Sequence, residues 1–256
     1  MGGQYIEAMP DPTLHQRPAR WPALADWRRR LPAWPRQCEL CRGWGPDSLC
    51  AACVDRLAAP QPRCPHCALP STAGRVCGDC LRDPPPFDHA VAALDYDFPW
   101  DRLILRLKFR AEPELARCLA ELLATAVLHS QQTRPDWLLP VPLSAQRLRQ
   151  RGYNQAWELA RCLGARCGIA ALPQGLVRGR DTKHQLGLSR SAREANLRHG
   201  LWVDPGCAHR VQGRQVALVD DVMTTGATAR AAAQALRQAG AAGVQVWVLA
   251  RTPRAD

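Results

Sequence analysis

The sequence predicts an α/β protein, a parallel sheet with flanking helices, joined to a small cysteine-rich domain on its N-terminal side. Three observations lead there. From residue 89 onward, short apolar strand-like runs alternate with segments of helical periodicity, the pattern of a parallel sheet with helical crossovers. Eight of the twelve cysteines fall between residues 38 and 80, in four C-x2-C pairs. Between these two compositions lies "RDPPPFD" (82–88), a proline-rich joint too stiff for helix or strand.

In chain order, residues 1–36 are rich in Pro, Arg and Trp (Trp21, Trp27, Trp34) and lack sustained periodicity, apart from a short helix over 23–31. They are predicted to be a mobile tail. Residues 37–82 carry the cysteine spacing. Cys38-x2-Cys41 is followed after eight residues by Cys50-x2-Cys53, and Cys64-x2-Cys67 after nine residues by Cys77-x2-Cys80. A C-x2-C knuckle offers two thiolates from one tight turn, and two knuckles complete a tetrahedral S4 site suited to Zn2+. Four knuckles predict two sites. Pairing neighbours closes the shortest loops, which favours 38/41/50/53 with 64/67/77/80. A cross-braced pairing, 38/41/64/67 with 50/53/77/80, stays open. Four thiolates leave no free coordination position, so the role is structural, and so few large apolar side chains could hardly fold the segment without metal. His66 is read as a loop residue. Cys118, Cys162, Cys167 and Cys207 are read as small buried residues.

Over 89–256, "AVAALDY" (90–96) reads as a strand and "ELARCLAELLATAVLH" (114–129) as a helix with Leu115, Leu119, Leu122, Leu123 and Val127 on one face. "DWLLPVP" (136–142) is a strand, and "NQAWELARCLGARCG" (154–168) a helix ended at Gly168. "QVALVD" (215–220) is a buried strand, "GATARAAAQALRQAG" (226–240) a helix with Gly240 as its C-cap, and "VQVWVLAR" (244–251) the last strand. Residues 178–196 form a long polar segment without strand pattern, a length that suits a lid or binding loop.

The formal charge is +11, and of 34 basic side chains only Lys108 and Lys183 are lysines. This balance favours phosphate-bearing partners, nucleic acid or small molecule. Residues 1–36 contain no apolar core of an export signal, and no run of about 18 apolar residues predicts a membrane span. A cytoplasmic location is therefore expected, with thiols kept reduced.

"VALVDDVMTTGAT" (216–228) carries the chemistry. A buried strand ending at Asp220 and Asp221 would bring both carboxylates to the carboxyl edge of the sheet, where ligands bind in open α/β folds. Thr224, Thr225, Gly226, Ala227 and Thr228 then lead into a helix. Backbone N–H groups, hydroxyls and a helix N-terminus favour a phosphate, and Gly226 permits close approach. The carboxylates would repel phosphate but accept hydrogen bonds from hydroxyls, so a ribose 5-phosphate meets both demands.

This stretch resembles the 5-phosphoribosyl-1-pyrophosphate (PRPP) binding motif of type I phosphoribosyltransferases. From about residue 36 onward the chain also resembles the ComF family, through the cysteine knuckles, "LILRLKF" (103–109), "PVPL" (140–143), "RQRGYNQAWELAR" (149–161) and "RDTKHQLGLSRSAREANLRHGLW" (180–202). Tyr153 and Trp202 stand where Phe is common. The resemblance implies a double zinc-ribbon domain (37–82) fused to a phosphoribosyltransferase-like domain (89–256), with an association with DNA uptake in natural competence. It implies PRPP with Mg2+ as ligands. The basic segment after the strand at 136–142, with Arg151, Gly152 and Asn154 and secondarily Arg147, resembles the pyrophosphate loop by its position. Arg180, Thr182, Gln185, Arg193 and Asn196 match the family pattern of the polar segment. Lys183, and Lys108 likewise, are candidates for positions that need lysine in an arginine-rich chain. Two functions fit: phosphoribosyl transfer to an acceptor that the sequence does not name, or a non-catalytic protein whose ribbons and basic surface hold single-stranded DNA, with PRPP as a regulatory ligand or the pocket as a relic.

Overall fold

The computed structural model describes residues 34–130, 132–179 and 200–253. The short helix expected over 23–31, nearly all of the expected tail, and most of the polar segment 178–196 lie outside them.

The two cysteine segments are variations on one backbone design. In the first, β1 (Arg36–Gln37) pairs antiparallel with β2 (Trp44–Gly45), and α1 (Ala51–Leu57) follows. The second is built on a single bridge, Arg63 with Pro70, and ends in α2 (Gly78–Arg82). In both, the first knuckle cysteine donates its N–H five residues ahead, Cys38 to the Gly43 carbonyl and Cys64 to the Leu69 carbonyl, each at 2.8 Å. The residue after each first knuckle, Arg42 or Ala68, has a positive φ of 62° or 57°, which turns the chain sharply around the thiols. Cys50 and Cys77 stand at the N-caps of α1 and α2, so the second knuckles ride on helix starts.

Beyond the proline joint come β3 (His89–Asp95), α3 (Trp100–Phe109), α4 (Leu115–His129), β4 (Trp137–Pro140), α5 (Ala145–Arg151) and α6 (Gln155–Cys167). Then follow β5 (Ala170–Ala171), β6 (Leu176–Arg178), β7 (Leu201–Val203), α7 (Ala208–Val211), β8 (Gln215–Met223), α8 (Ala227–Gln238) and β9 (Gly243–Arg251). Five strands form a parallel sheet in the order β3-β9-β8-β4-β5, which bears out the predicted class. Sequence alternation sorts the strands onto two cores. Val216 and Leu218 of β8 face α8, while Ala217 and Val219 face α3, α4 and α6. All nine residues of β9 are buried, which is why it reads as a continuous apolar run rather than an alternating one.

Several expectations shift. Helix α3 was legible only as the motif "LILRLKF", yet Trp100, Leu103, Ile104 and Leu107 form a proper apolar stripe. The segment 144–151, expected as a basic loop, is helix α5, capped by the Ser144 hydroxyl accepting from the Arg147 N–H and stopped by Gly152 at φ 79°. Gly240 stands one residue beyond the C-cap of α8, which is Ala239. The polar segment is bracketed by strand after all, since β6 and β7 pair antiparallel on either side of it.

Gly164 lies inside α6 against the turn into β5. A Cβ there would come within 2.5 Å of the Ile169 carbonyl oxygen, which is backbone and cannot swing aside. Alanine normally gains about 1 kcal/mol over glycine in a helix interior. Here the clash reverses the sign, and Gly164→Ala is expected to cost roughly 1–3 kcal/mol. Thermal unfolding checks it. A melting temperature equal to or above that of the native protein would mean the α6–β5 turn yields freely.

Candidate functional site

The cysteines gather as neighbours. Cys38, Cys41, Cys50 and Cys53 form one group and Cys64, Cys67, Cys77 and Cys80 another, with the ligand atoms of each group within 4.8 Å of one another. This favours the local pairing over the cross-braced one. The donor set fits zinc: four soft thiols in a shell of tetrahedral size. Backbone N–H groups are already aimed at the sulfurs, Cys50 to Cys38 Sγ and Cys77 to Cys64 Sγ, each at 3.4 Å. Burial raises the Cys38 thiol, but N–H donors from Cys41, Cys50 and Leu40 together outweigh it and hold the pKa at about 6. Cys53, hydrogen-bonded to Cys50, is pushed up to about 12. Neighbouring thiols compete for one negative charge until a metal supplies positive charge. Cys118, Cys162, Cys167 and Cys207 belong to neither group and are half-buried, in keeping with a packing role.

Both ribbons are strapped to the larger domain. From the first, Glu39 accepts from Arg106 Nη1 at 2.8 Å, and the Leu57 carbonyl accepts from Trp100 Nε1 at 2.9 Å. From the second, Arg63 Nη1 meets Asp95 Oδ1 at 2.8 Å, and the Pro65 carbonyl accepts the Ala90 N–H at 2.8 Å.

At the carboxyl edge of the sheet, β8 does not stop at the acidic pair. It runs on to Met223 because β9 continues to pair with it, to Met223 opposite Arg251. On the other side β4 has already ended, its last pair being Pro140 with Val219. The strand end expected at Asp220–Asp221 is therefore a one-sided edge. Successive strand residues point to opposite faces, and the two acids differ accordingly. Asp221 is 3% exposed. Its Oδ1 accepts the Val222 N–H at 2.7 Å and pairs with Lys108 Nζ at 3.3 Å, while its Oδ2 is buried without a protein partner. Asp220 is half-buried, and its Oδ1 accepts the Asp221 N–H at 2.9 Å. Burial, then the Asp221 charge, pushes its pKa up to about 8 against the opposing pull of the Asp221 N–H and Lys108.

Beyond the acids, Thr224 and Thr225 are exposed, and the Thr225 hydroxyl accepts the Ala227 N–H at 3.3 Å. Gly226 holds φ 81° as the N-cap of α8, and Thr228 lies in the first turn. This joins Thr224, Thr225, Gly226, Ala227 and Thr228 into one turn opening onto a twelve-residue helix.

Lys108, at the end of α3, also lines a cleft of about 370 Å3 with Phe109, Ala111, Arg147, Gln150 and Arg151. Arg151 stacks its guanidinium 4.8 Å from the Phe109 ring centre and donates to Gln155 Oε1 at 2.8 Å. Gly152 ends α5 directly after Arg151. The Asn154 side chain is committed at both ends, its Oδ1 accepting the Ala156 N–H at 3.0 Å and its Nδ2 donating to the Val141 carbonyl at 3.1 Å. Lys183 lies outside the described residues, with Arg180, Thr182, Gln185, Arg193 and Asn196.

One residue escaped the sequence reading. Arg251, 6% exposed, ends β9 beneath the loop and donates to the carbonyls of Met223 at 2.8 Å, Thr224, and Thr252 at 3.0 Å, and to that of Cys67 at 2.9 Å. Its signal was available: a cation closing an otherwise apolar buried strand needs partners.

A family model described as "Double zinc ribbon domain" matches residues 32–81. The DNA utilization protein YhgH of Escherichia coli K12 is 38% identical over 229 residues, covering 85% of this chain and 98% of that protein. Competence protein F of Haemophilus influenzae is 35% identical over 223 residues, covering 84% and 96%. Among solved structures, a glutamine PRPP amidotransferase from B. subtilis, complexed with ADP and GMP, aligns at 21% identity and a TM-score of 0.40, over 56% of this chain and 30% of its own.

Proposed function

The chain belongs to the ComF family, and from that premise we propose that its larger domain binds PRPP with Mg2+ at the carboxyl edge of β8 and serves DNA uptake or utilization. The observation that carries the reading is Asp221. A carboxylate this buried, with one oxygen unpartnered beside an exposed Thr-Gly turn, suits a ligand that brings hydroxyl donors and a phosphate together. Lys108 and the Val222 N–H hold the Asp221 carboxylate in place. Asp220, more open and holding its proton longer, exchanges that proton for hydrogen bonds from the ribose 2- and 3-hydroxyls or for the cation. Thr224 to Thr228 take the 5-phosphate on backbone N–H groups and hydroxyls.

The pyrophosphate end falls to the cleft of Lys108, Arg147 and Arg151; Lys183, a further candidate cation, lies outside the described residues. Gly152 and Asn154 act by placing Arg151, through the turn between α5 and α6. Mg2+, when bound, would neutralise the pyrophosphate; Asp220 is the carboxylate able to hold it. If a nucleophile displaces pyrophosphate from C1, the cations of the cleft favour the leaving group. No membrane crossing is part of this reading, and no described helix is long and apolar enough for one. A cytoplasmic location agrees with it.

Calorimetric titration of PRPP with Mg2+ into zinc-replete protein tests the reading. Saturable binding is expected for the native protein, with loss in Asp221→Asn. No heat from either protein would overturn it. The second reading, single-stranded DNA binding without catalysis, is favoured by the charge of +11 and by the names of the relatives. Affinity that falls steeply with salt would support it.

A further inference from the structure

We infer that Arg251 is a positioning residue that couples the second zinc ribbon to the phosphate turn; the inference rests on the PRPP reading above. The guanidinium lies at the junction of three segments. Its Nη1 gathers the carbonyls of Met223, Thr224 and Thr252, and its Nε reaches the Cys67 carbonyl at 2.9 Å. Cys67 is itself a member of the second four-thiol group. The same side chain thus touches the backbone of a zinc ligand and the backbone of the turn.

Peptide planarity gives this contact a consequence. In a trans peptide the C=O of one residue and the N–H of the next point in opposite directions. Clamping the Met223 and Thr224 carbonyls inward onto Arg251 turns the N–H groups of Thr224 and Thr225 outward, on the side where both residues are exposed. These are donors that an incoming phosphate would meet. A fixed cation beneath them adds a favourable field for an anion. Arg251 is 6% exposed, and so buried a guanidinium keeps its place only while its acceptors are in position. The Cys67 carbonyl is one of those acceptors, and its position depends on the folded knuckle. Zinc in the second ribbon therefore orders the turn through Arg251. The first ribbon, tied instead to Arg106 and Trp100, has no such link among the described contacts.

The test is amide hydrogen exchange on the full zinc-replete chain, read at residues 223–228, with the β8 core at 216–219 as folding control, alongside PRPP–Mg2+ titration. Arg251→Gln is expected to speed exchange at Thr224 and Thr225 at least tenfold and to weaken PRPP binding about tenfold. Cys77→Ser, in the second ribbon, should do the same, and Cys50→Ser, in the first, should not. In the double variant Arg251→Gln with Cys77→Ser, the effects should not add, because both remove one link. Additive effects, or equal responses to Cys77→Ser and Cys50→Ser, would overturn the inference. So would unchanged exchange and affinity in Arg251→Gln. If Arg251→Gln loses protection at 216–219 as well, the comparison of Cys77→Ser with Cys50→Ser decides alone. Absence of PRPP binding by the native protein would sink the ligand reading, while the exchange comparisons would still decide the coupling.

Discussion

Serine in place of Cys64 is expected to leave one zinc ion per chain where the native protein holds two, and to unfold the second ribbon. Cys64 is fully buried, and its sulfur accepts the Cys77 N–H at the centre of the group. The ribbon has little else to hold it. Among its residues only Ala68 and Leu69 join the four-thiol group's Cys64 and Cys80 as buried apolar side chains, and its only strand pairing is one isolated bridge. Structural zinc supplies roughly 10–16 kcal/mol to small domains of this kind, far more than those side chains can. Losing one of four thiolates removes enough of that to leave residues 61–82 open to protease, while the larger sheet persists on its own two cores. Cys38→Ser should act in the same way on the first ribbon. Elemental analysis of purified protein, with limited proteolysis, checks both. Two zinc ions retained in either variant, or fewer than two in the native chain, would contradict the assignment of the groups.

The acidic pair should give two substitutions with opposite effects on stability and the same effect on binding. Asp221→Asn leaves Lys108 mostly buried opposite a neutral amide, which is expected to cost about 3 kcal/mol, since breaking one side of a buried ion pair strands the other charge. Asp220→Asn relieves a strain instead. The folded protein holds the Asp220 pKa at about 8, above its ordinary 3.8. Below the ordinary value both folded and unfolded forms carry the proton and nothing is lost. As pH rises from there through about 8, the unfolded form ionises first and stability falls. Asp220→Asn should therefore match the native protein near pH 4 and exceed it above pH 8, with the margin widening across that window. Both variants should lose PRPP affinity by roughly ten- to hundredfold, the worth of a charged hydrogen bond. Thermal unfolding at several pH values, paired with titration of PRPP, separates the two effects. A destabilised Asp220→Asn at pH 8 would mean that its carboxylate is held by partners rather than repelled.

On the proposed reading such a trade, stability given up where a ligand is to bind, follows from where the pair sits. β8 outruns β4 after Val219 and keeps only β9 beside it to Met223. The acids thus have one covered flank and one open flank. Nothing in "VALVDDVM" announces this, because it depends on the length of a strand some eighty residues earlier in the chain.

The features that were legible without coordinates are local ones. Cysteine spacing gave four ligand pairs and favoured joining neighbours, because short loops cost least to close, and the fold then chose that pairing over the cross-braced one. The 3.6-residue stripe of "ELARCLAELLATAVLH" and the unbroken apolar run of "VQVWVLAR" dictated α4 and β9, because periodicity reports which faces are buried. The turn at 224–228 leading into a helix was legible because its residues are adjacent in sequence, and its reading as an anion site remains part of the proposed function. What tertiary structure alone decided are the long-range partnerships of charged side chains: Lys108 with Asp221, and Arg251 with both Cys67 and Thr224. Helix α5 was misjudged for a related reason, since its arginines conceal a helix held by caps at Ser144 and Gly152 rather than by an apolar stripe. Spacing constrains groups that are near one another along the chain. A charge buried at the end of a strand must be neutralised by whatever the fold brings to it, and only the folded chain determines which group that is.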